Sequence, residues 1–430
     1  MEYCKRCVFP ANAKPDIILD DEGVCSGCRY IEQKMTAVNW EQRADWLHTL
    51  MEEYKGEARA AGQAWDCIVP VSGGKDSHWQ VHLVKEVYKM NPLLISYNHM
   101  FNHPIGIRNL RNVVREFGCD LIRFTSSPES VRKLARWGVR KVGDCTWHYH
   151  AGIMTFPIQV AVEKKIPLIV WGEEGFSEIV GMFNLNDMIE FTKKKRQEHY
   201  MRGFEPQDIL QDSMAKEEGI EQHDLAPFYY PSNEDIDRIG VRGIYLGNFM
   251  LWNSKEYVDK MLKRGFETAQ QKQMTFDLYG KVDDLHAAGA HSYLKFLKFG
   301  YGRVTDDASN EIRMGRMTRE EGIDMVMKYD GLRPYDLDLL LRFMGMTEDE
   351  FMRSLDSMRD TSAWANPSGG NWELKDNVGN HRNDPGVVQA RIKYTGDGKR
   401  RGFVRSPWKK EKIFMEENED FNKLADYVVL

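Results

Sequence analysis

Apolar positions in residues 32–60, among them Met35, Val38, Trp46, Leu47 and Leu50, recur between charges at roughly helical spacing, which predicts one or two amphipathic helices. The period then changes. Residues 65–71 form a short apolar run, Gly73 and Gly74 interrupt it, and Trp79, Val81, Val84, Val87 and Tyr88 return to helical spacing. That is strand, loop, helix. Asn91-Pro92 ends the helix, residues 93–97 read as a second strand, and Leu110, Val113, Val114 and Phe117 mark a helix closed by Gly118. A third strand at 120–124, a helix around 151–164 and a fourth strand at 167–171 continue the alternation. Strands separated by helices pair in parallel through crossovers, so the expected class is α/β, with an open, doubly wound, mainly parallel sheet.

Residues 176–240 break this rhythm with a charge-rich stretch and several turn signals, and read as an insertion or lid. A fifth strand is expected over 242–250 and a helix over 254–264. Beyond residue 315 the pattern is mostly helical, with Leu337, Leu339, Leu340, Leu341 and Phe343, while residues 366–386 are rich in Gly, Asn and Asp and read as a loop. The expected organisation is a cysteine-bearing segment 1–31, linking helices 32–62, a main α/β domain 63–315 with the insertion at about 176–240, and a mostly helical region 316–430.

Composition narrows the class of function. The chain has 430 residues, 42% hydrophobic and 29% charged, and no apolar stretch approaches the ~20 residues that span a bilayer, so membrane insertion is not expected. Its start, Met-Glu-Tyr-Cys-Lys-Arg-Cys, lacks an apolar leader, and a cytoplasmic location is the expectation. A net charge of −6 argues against affinity built on phosphate neutralisation, hence against a nucleic-acid partner.

Four of the seven cysteines, Cys4, Cys7, Cys25 and Cys28, are spaced C-x2-C-x17-C-x2-C, which suits a zinc knuckle. Two such pairs supply the tetrahedral shell that Zn²⁺ prefers, and a shell closed by four thiolates is structural. Cys67 and Cys119 sit in or beside apolar runs and read as buried small hydrophobes, whereas Cys145 is less easily assigned.

The turn after the first strand reads Ser72-Gly73-Gly74-Lys75-Asp76-Ser77. In a doubly wound fold this is where ligands bind. Two glycines let the backbone approach an anion, the loop N–H groups form a nest, and the following helix directs its positive end to the same place. The Walker pattern is absent. A second charged cluster, from Lys295 and Lys298 through Arg303, Asp306, Asp307 and Glu311 to Arg313, alternates cations, carboxylates and glycines with aromatics, a mixture suited to a polyphosphate and metal site. The segment Asp144-Cys145-Thr146-Trp147-His148-Tyr149-His150 offers aromatic faces and imidazoles to a sugar ring, or else is a capped helix start with packed aromatics.

The loop resembles the SGGxDS signature of PP-loop ATP pyrophosphatases, which cleave ATP between its α and β phosphates. The resemblance implies that Ser72, Gly73, Gly74, Asp76 and Ser77 hold the pyrophosphate with Lys75 nearby, and that Asp76 helps place Mg²⁺. It also implies that Ser96 and Asn98 approach adenine or ribose, and that Gly172 permits close approach to the adenylate. Glu173 and Glu174 would serve magnesium or incoming ammonia, or else belong to a solvated acidic loop.

Taken in order, the cysteine pairs, the SGGKDS loop, Trp171-Gly172-Glu173-Glu174 and the segment KFGYGRVTDDASNEIR resemble the N-acetyl sugar amidotransferase family of bacterial surface-polysaccharide and flagellin-glycosylation pathways. That resemblance implies conversion of an acetamido group on a sugar or nucleotide sugar to an acetamidino group, through adenylation of the amide oxygen and attack by ammonia. ATP, Mg²⁺ and structural Zn²⁺ would be the cofactors. Residue 2 is Glu and no G-x-C-x-G elbow occurs, so the chain supplies no evident glutaminase. The resemblance therefore implies a separate glutamine amidotransferase subunit and a cyclase-like companion that conducts ammonia. The competing reading is a PP-loop tRNA-thiolation enzyme, and a weaker one is a non-catalytic zinc- and nucleotide-binding module.

Overall fold

The computed structural model describes residues 1–269, 274–367 and 369–387, and beyond these only short strand pairs between 393 and 412. Part of the expected region 316–430, most of it after residue 387, therefore lies outside the described residues. Five strands, β1 (Cys67–Pro70), β2 (Pro92–Asn98), β3 (Asp120–Thr125), β4 (Leu168–Trp171) and β5 (Arg242–Tyr245), form one parallel sheet in the order 3-2-1-4-5. Residue alternation divides its two faces. Cys67, Val69, Leu94, Leu168, Val170 and Ile244 pack on one side, while Ile68, Leu93, Ile95, Ile169, Trp171 and Tyr245 pack on the other. Both faces of the central strands are covered, which is why β1, β2 and β4 read as continuous apolar runs, whereas the edge strand β3 is only partly buried.

Several helices carry plain local signals. The helix Pro104–Phe117 begins with Pro and ends at left-handed Gly118, and Pro128–Val142 has Ser127 as its cap and Gly143 as its left-handed stop. The helix Trp147–Lys164 covers the second sheet face through Ile158, Val160 and Ala161. Between β4 and β5 the chain makes a series of short helices. Met201, Ile209, Leu225 and Phe228 from this stretch are buried with Trp137 and Trp147 in one core. Strand β5 is shorter than expected, because residues 246–248 turn into a single 3₁₀ turn.

The cysteine segment does not pack alone. Tyr3, Cys4, Val8, Phe9 and Val24 share a core with Val304, Ala308 and Ile312 of the helix Arg303–Arg313, with Ile323 and Val326 of the helix Arg319–Tyr329, and with Val378. Beyond residue 315 the described chain is largely helical, including Leu337–Met344 and Glu348–Arg353. Among the described residues no helix is long and apolar enough to cross a membrane.

Candidate functional site

In this strand order the crossover from β1 leads to one side of the sheet and that from β4 to the other, so a crevice opens at their carboxyl ends. Residues 72–77 and 172–174 lie there. The loop is held from behind. Ser77 is buried and its Oγ accepts the Ser72 N–H at 2.9 Å, while the Gly74 carbonyl lies 3.0 Å from His78 Nδ1. Burial depresses His78 to about 4, so its ring is neutral at pH 7. Gly73 adopts φ +94°, and a Cβ there would meet Leu110 N at 2.8 Å and Gly106 O at 2.9 Å. Gly74 stands at the N-cap of the helix Lys75–Val81 without a side-chain cap.

A cleft of about 440 Å³ opens over this loop. Ser72, Gly74, Lys75, Asp76 and Glu173 form one wall, and Arg303, Asp306, Asp307, Glu311 and Arg313 form another. Residues 72–76 and the helix Arg303–Arg313, more than 200 apart in sequence, thus face one space. Asp76 pairs with Lys75, and its Oδ1 accepts Ser254 Oγ at 3.0 Å and Trp252 Nε1 at 3.3 Å. Burial, then the Asp76 charge, raises the Glu173 carboxyl to about 7 against the pull of Lys75. Burial opposes the Lys75 charge, but Asp76 and Glu173 outweigh it and raise its pKa.

On the second wall Lys295 Nζ donates to both Asp306 oxygens at 2.7 and 2.8 Å, and Arg303 lies 3.4 Å from Asp307. The helix carrying these groups is fixed by Asp330, which accepts the N–H of Gly302 at 2.9 Å and of Val304 at 3.0 Å. Burial is the largest effect on Arg303 and lowers its pKa, but Asp307 and Asp306 reverse the sign, so the guanidinium keeps its charge.

Other expected site residues sit elsewhere. Lys298 does not line the cleft; its Nζ donates to Val142 O at 3.4 Å, and burial lowers its pKa to about 8. Trp147 and His148 are core residues. Trp147 donates its Nε1 proton to Met201 O at 2.8 Å, and His148 is buried against Phe101, so neither offers a face to a sugar. The helix phase that buries them leaves His150 on the cleft wall. Ser96 is buried in β2, and Asn98 at its end bonds Thr125 at 3.1 Å and Arg123 at 3.0 Å; neither lines the cleft. Gly172 also lies behind the wall, where a Cβ would meet Gln80 Nε2 at 2.8 Å. Glu174 is absorbed by structure: it caps the helix Gly175–Val180 through Ser177 N at 2.7 Å and pairs with buried Lys195.

The cleft also contains groups that sequence reading passed over. Trp252 and Ser254 follow β5 at the same carboxyl edge, a position that topology alone would have flagged. Asp277, Lys281 and Asp283 lie in an irregular stretch with no periodic signal.

The four cysteines form a buried cluster with their sulfur atoms within 4.8 Å of one another. Cys7 and Cys25 sulfurs are 3.6 Å apart, those of Cys4 and Cys28 4.0 Å. Tetrahedral zinc with bonds of ~2.3 Å places sulfurs about 3.8 Å apart, so the donor set and its spacing fit Zn²⁺. The Cys25 N–H donates to Cys4 Sγ at 3.2 Å, and Arg313 Nη2 to Cys25 Sγ at 3.4 Å, as suits thiolates.

Two comparisons bear on this architecture. An uncharacterized protein, MJ1599, of Methanocaldococcus jannaschii is 27% identical over 119 residues, which are 28% of this chain and 41% of that protein. The chain thus matches less than half the length of this relative. Residues 273–378 match the family described as LPS biosynthesis protein WbpG-like, C-terminal domain. The wall of the cleft formed by Arg303, Asp306 and Asp307 lies inside that match.

Proposed function

We propose that this chain is an ATP-dependent amidotransferase that converts an acetamido group of a sugar or nucleotide sugar to an acetamidino group. The observation that carries the reading is the meeting of the SGGKDS loop, at the carboxyl end of β1, with the charged helix Arg303–Arg313 across one cleft. The loop suits a polyphosphate. Its backbone is free of side chains at Gly73 and Gly74, its helix start carries no side-chain cap, and Lys75 and Arg303 supply cations from opposite walls. The Asp76 carboxylate is the one that would hold Mg²⁺, which when bound neutralises phosphate charge.

A carboxamide is a poor electrophile. In the proposed reaction the amide oxygen attacks the α-phosphorus of ATP, the bond to the β-phosphate breaks, and pyrophosphate leaves. Ammonia then attacks the activated carbon, and AMP departs carrying the former amide oxygen. Lys75 and Arg303 would steady the negative charge of the phosphates. Glu173, with its carboxyl near neutrality, suits accepting a proton from the attacking nitrogen. Ammonia would come from a partner glutaminase, with a cyclase-like subunit as conduit.

The thiolation alternative gains nothing here, since Cys67, Cys119 and Cys145 are all buried and none lines the cleft. The test is incubation with ATP, Mg²⁺, ammonium and a panel of nucleotide-linked acetamido sugars, with ¹⁸O in the acetyl group. Expected are AMP bearing the label and a sugar product one mass unit lighter than the unlabelled substrate. Label retained in the sugar, or ADP as the nucleotide product, would defeat the proposal.

A further inference from the structure

The segment 144–150 has a role that the proposed reaction leaves unused. Asp144 follows left-handed Gly143, and its backbone is pinned by a bond from its N–H to Gly138 O at 3.0 Å. Its side chain is buried, and its oxygens meet two imidazoles from different parts of the chain. His291 Nδ1, on the helix Leu285–Phe299, lies 3.0 Å from Oδ1. His150 Nδ1, one turn into the helix Trp147–Lys164, lies 3.9 Å from Oδ2. The three donor atoms fall within 4.8 Å of one another.

Thr146 stands among them. Its Oγ1 lies 2.5 Å from Asp144 Oδ1, 2.9 Å from His291 Nδ1 and 3.3 Å from His150 Nδ1. A hydroxyl has one proton to give, and here it faces a carboxylate and two ring nitrogens. A simple Asp–His pair would need one imidazole; this arrangement turns two towards the same buried carboxylate. Two imidazoles and a carboxylate around one point form a donor set that suits Zn²⁺, Mn²⁺ or Fe²⁺ better than Mg²⁺. Tetrahedral bonds of ~2.0–2.1 Å put such donors about 3.3 Å apart; His291 Nδ1 lies 3.0 Å from one Asp144 oxygen and His150 Nδ1 3.9 Å from the other, and one donor atom from each residue falls within 4.8 Å of the other two.

We propose that Asp144, His150 and His291 bind a divalent transition-metal ion at the edge of the cleft. With three protein ligands the ion keeps positions open. His150 lines the cleft, so an open position is within reach of an oxygen of whatever occupies that space. The site is separate from the four-cysteine cluster, and its existence does not depend on the ATP reading.

The test counts and distinguishes metal sites on the full chain with its cysteine cluster loaded. Titration with Zn²⁺, followed by elemental analysis after gel filtration, is expected to give two equivalents per chain. Titration with Co²⁺ of protein that carries zinc in its cysteine cluster alone should add weak visible bands without the near-ultraviolet absorption of sulfur-to-cobalt charge transfer. His291→Ala and His150→Ala should each weaken the second equivalent by at least about tenfold, the lower end of what even outer-shell partners cost. Both should leave the first equivalent in place, and both side chains are partly exposed, so circular dichroism should be unchanged. A wild-type chain that saturates at one equivalent overturns the proposal and leaves a hydrogen-bonded Asp–His pair. So does a second equivalent that survives both substitutions.

Discussion

Two substitutions of the same chemistry, Gly56→Ala and Gly73→Ala, should change stability in opposite directions. Gly56 lies on the exposed side of the helix Trp40–Ala60, and a Cβ there meets nothing within 4 Å. Alanine then only lowers the conformational entropy of the unfolded chain and should stabilise by about 0.5–1 kcal/mol. Gly73 is buried at φ +94°, well beyond the left-handed helical well that other residues tolerate. Its Cβ would press on Leu110 N at 2.8 Å and Gly106 O at 2.9 Å, both backbone atoms of the helix Pro104–Phe117, which cannot swing aside as a side chain would. Backbone strain of 1–3 kcal/mol and a forced displacement of that helix together make a loss of about 2–4 kcal/mol. Urea unfolding followed by tryptophan fluorescence measures both, since Trp79 lies in the helix that starts at the loop. A midpoint for Gly73→Ala equal to that of wild type would refute the geometry assigned to the loop, and a lowered midpoint for Gly56→Ala would show that the comparison is not one of local strain.

Other consequences are as direct. His78 is buried with a pKa near 4 against an ordinary 6.5, so the folded state resists a proton that the unfolded chain accepts; stability should fall as pH drops from about 6.5 towards 4, by about 3 kcal/mol from this group. An NMR titration that finds His78 protonating near 6.5 would contradict this. Asp76→Ala should leave circular dichroism unchanged and cut AMP formation at least about a hundredfold, as loss of a positioned charge at a reacting centre does; AMP release at the wild-type rate would remove Asp76 from the site. Arg313→Lys should keep the fold yet release zinc to a chelator at least about tenfold faster, because an ammonium cannot span the contacts of a guanidinium. Unchanged release would separate Arg313 from the metal cluster.

How legible this molecule is in its sequence differs from part to part, for physical reasons. The central strands are legible because they are covered on both faces: in β1 Cys67 and Val69 pack one way and Ile68 the other, so the run is apolar throughout, and the bounds of the first four strands fall within two residues of those read from the sequence. The helix Pro128–Val142 carries local start and stop signals in Ser127, Pro128 and Gly143. Helix phase against distant partners is harder. Trp147 and His150 stand one turn apart on one helix, yet packing against Trp137 and Phe228 buries the first and leaves the second on the cleft. Lys295 and Lys298 are likewise one turn apart, and only Lys295 faces Asp306. Nothing in local spacing decides such choices. Asp277 and Asp283 are harder still, since irregular backbone carries them in and no periodicity marks it.

Arg313 ties the cysteine cluster to the cleft. Its guanidinium donates to Ile179 O at 2.6 Å and Glu178 O at 3.2 Å, and on its other side to the sulfurs of Cys25 at 3.4 Å and Cys7 at 3.8 Å. Its charge also lies over the ring of Phe9, 5.2 Å from the centroid. A buried guanidinium is costly unless its protons are met, and here carbonyls of the cleft wall take those of Nη1 and sulfurs of the cluster those of Nη2, while Nε has no hydrogen-bond partner. Gly27 leaves the space for it: a Cβ there would lie 2.5 Å from Nη2. Glu178 is in turn paired with Lys34, which is fully buried on the helix Ser26–Thr36 that Cys25 caps. Withdrawing a metal from the cysteines would therefore release the sulfurs that Arg313 faces, and the helix Gly175–Val180, which carries Glu178, would lose the support that the guanidinium relays. A cluster closed to chemistry thus bears on the shape of the wall opposite residues 72–77, since its residues share a core with the helix Arg303–Arg313 instead of forming a separate bead.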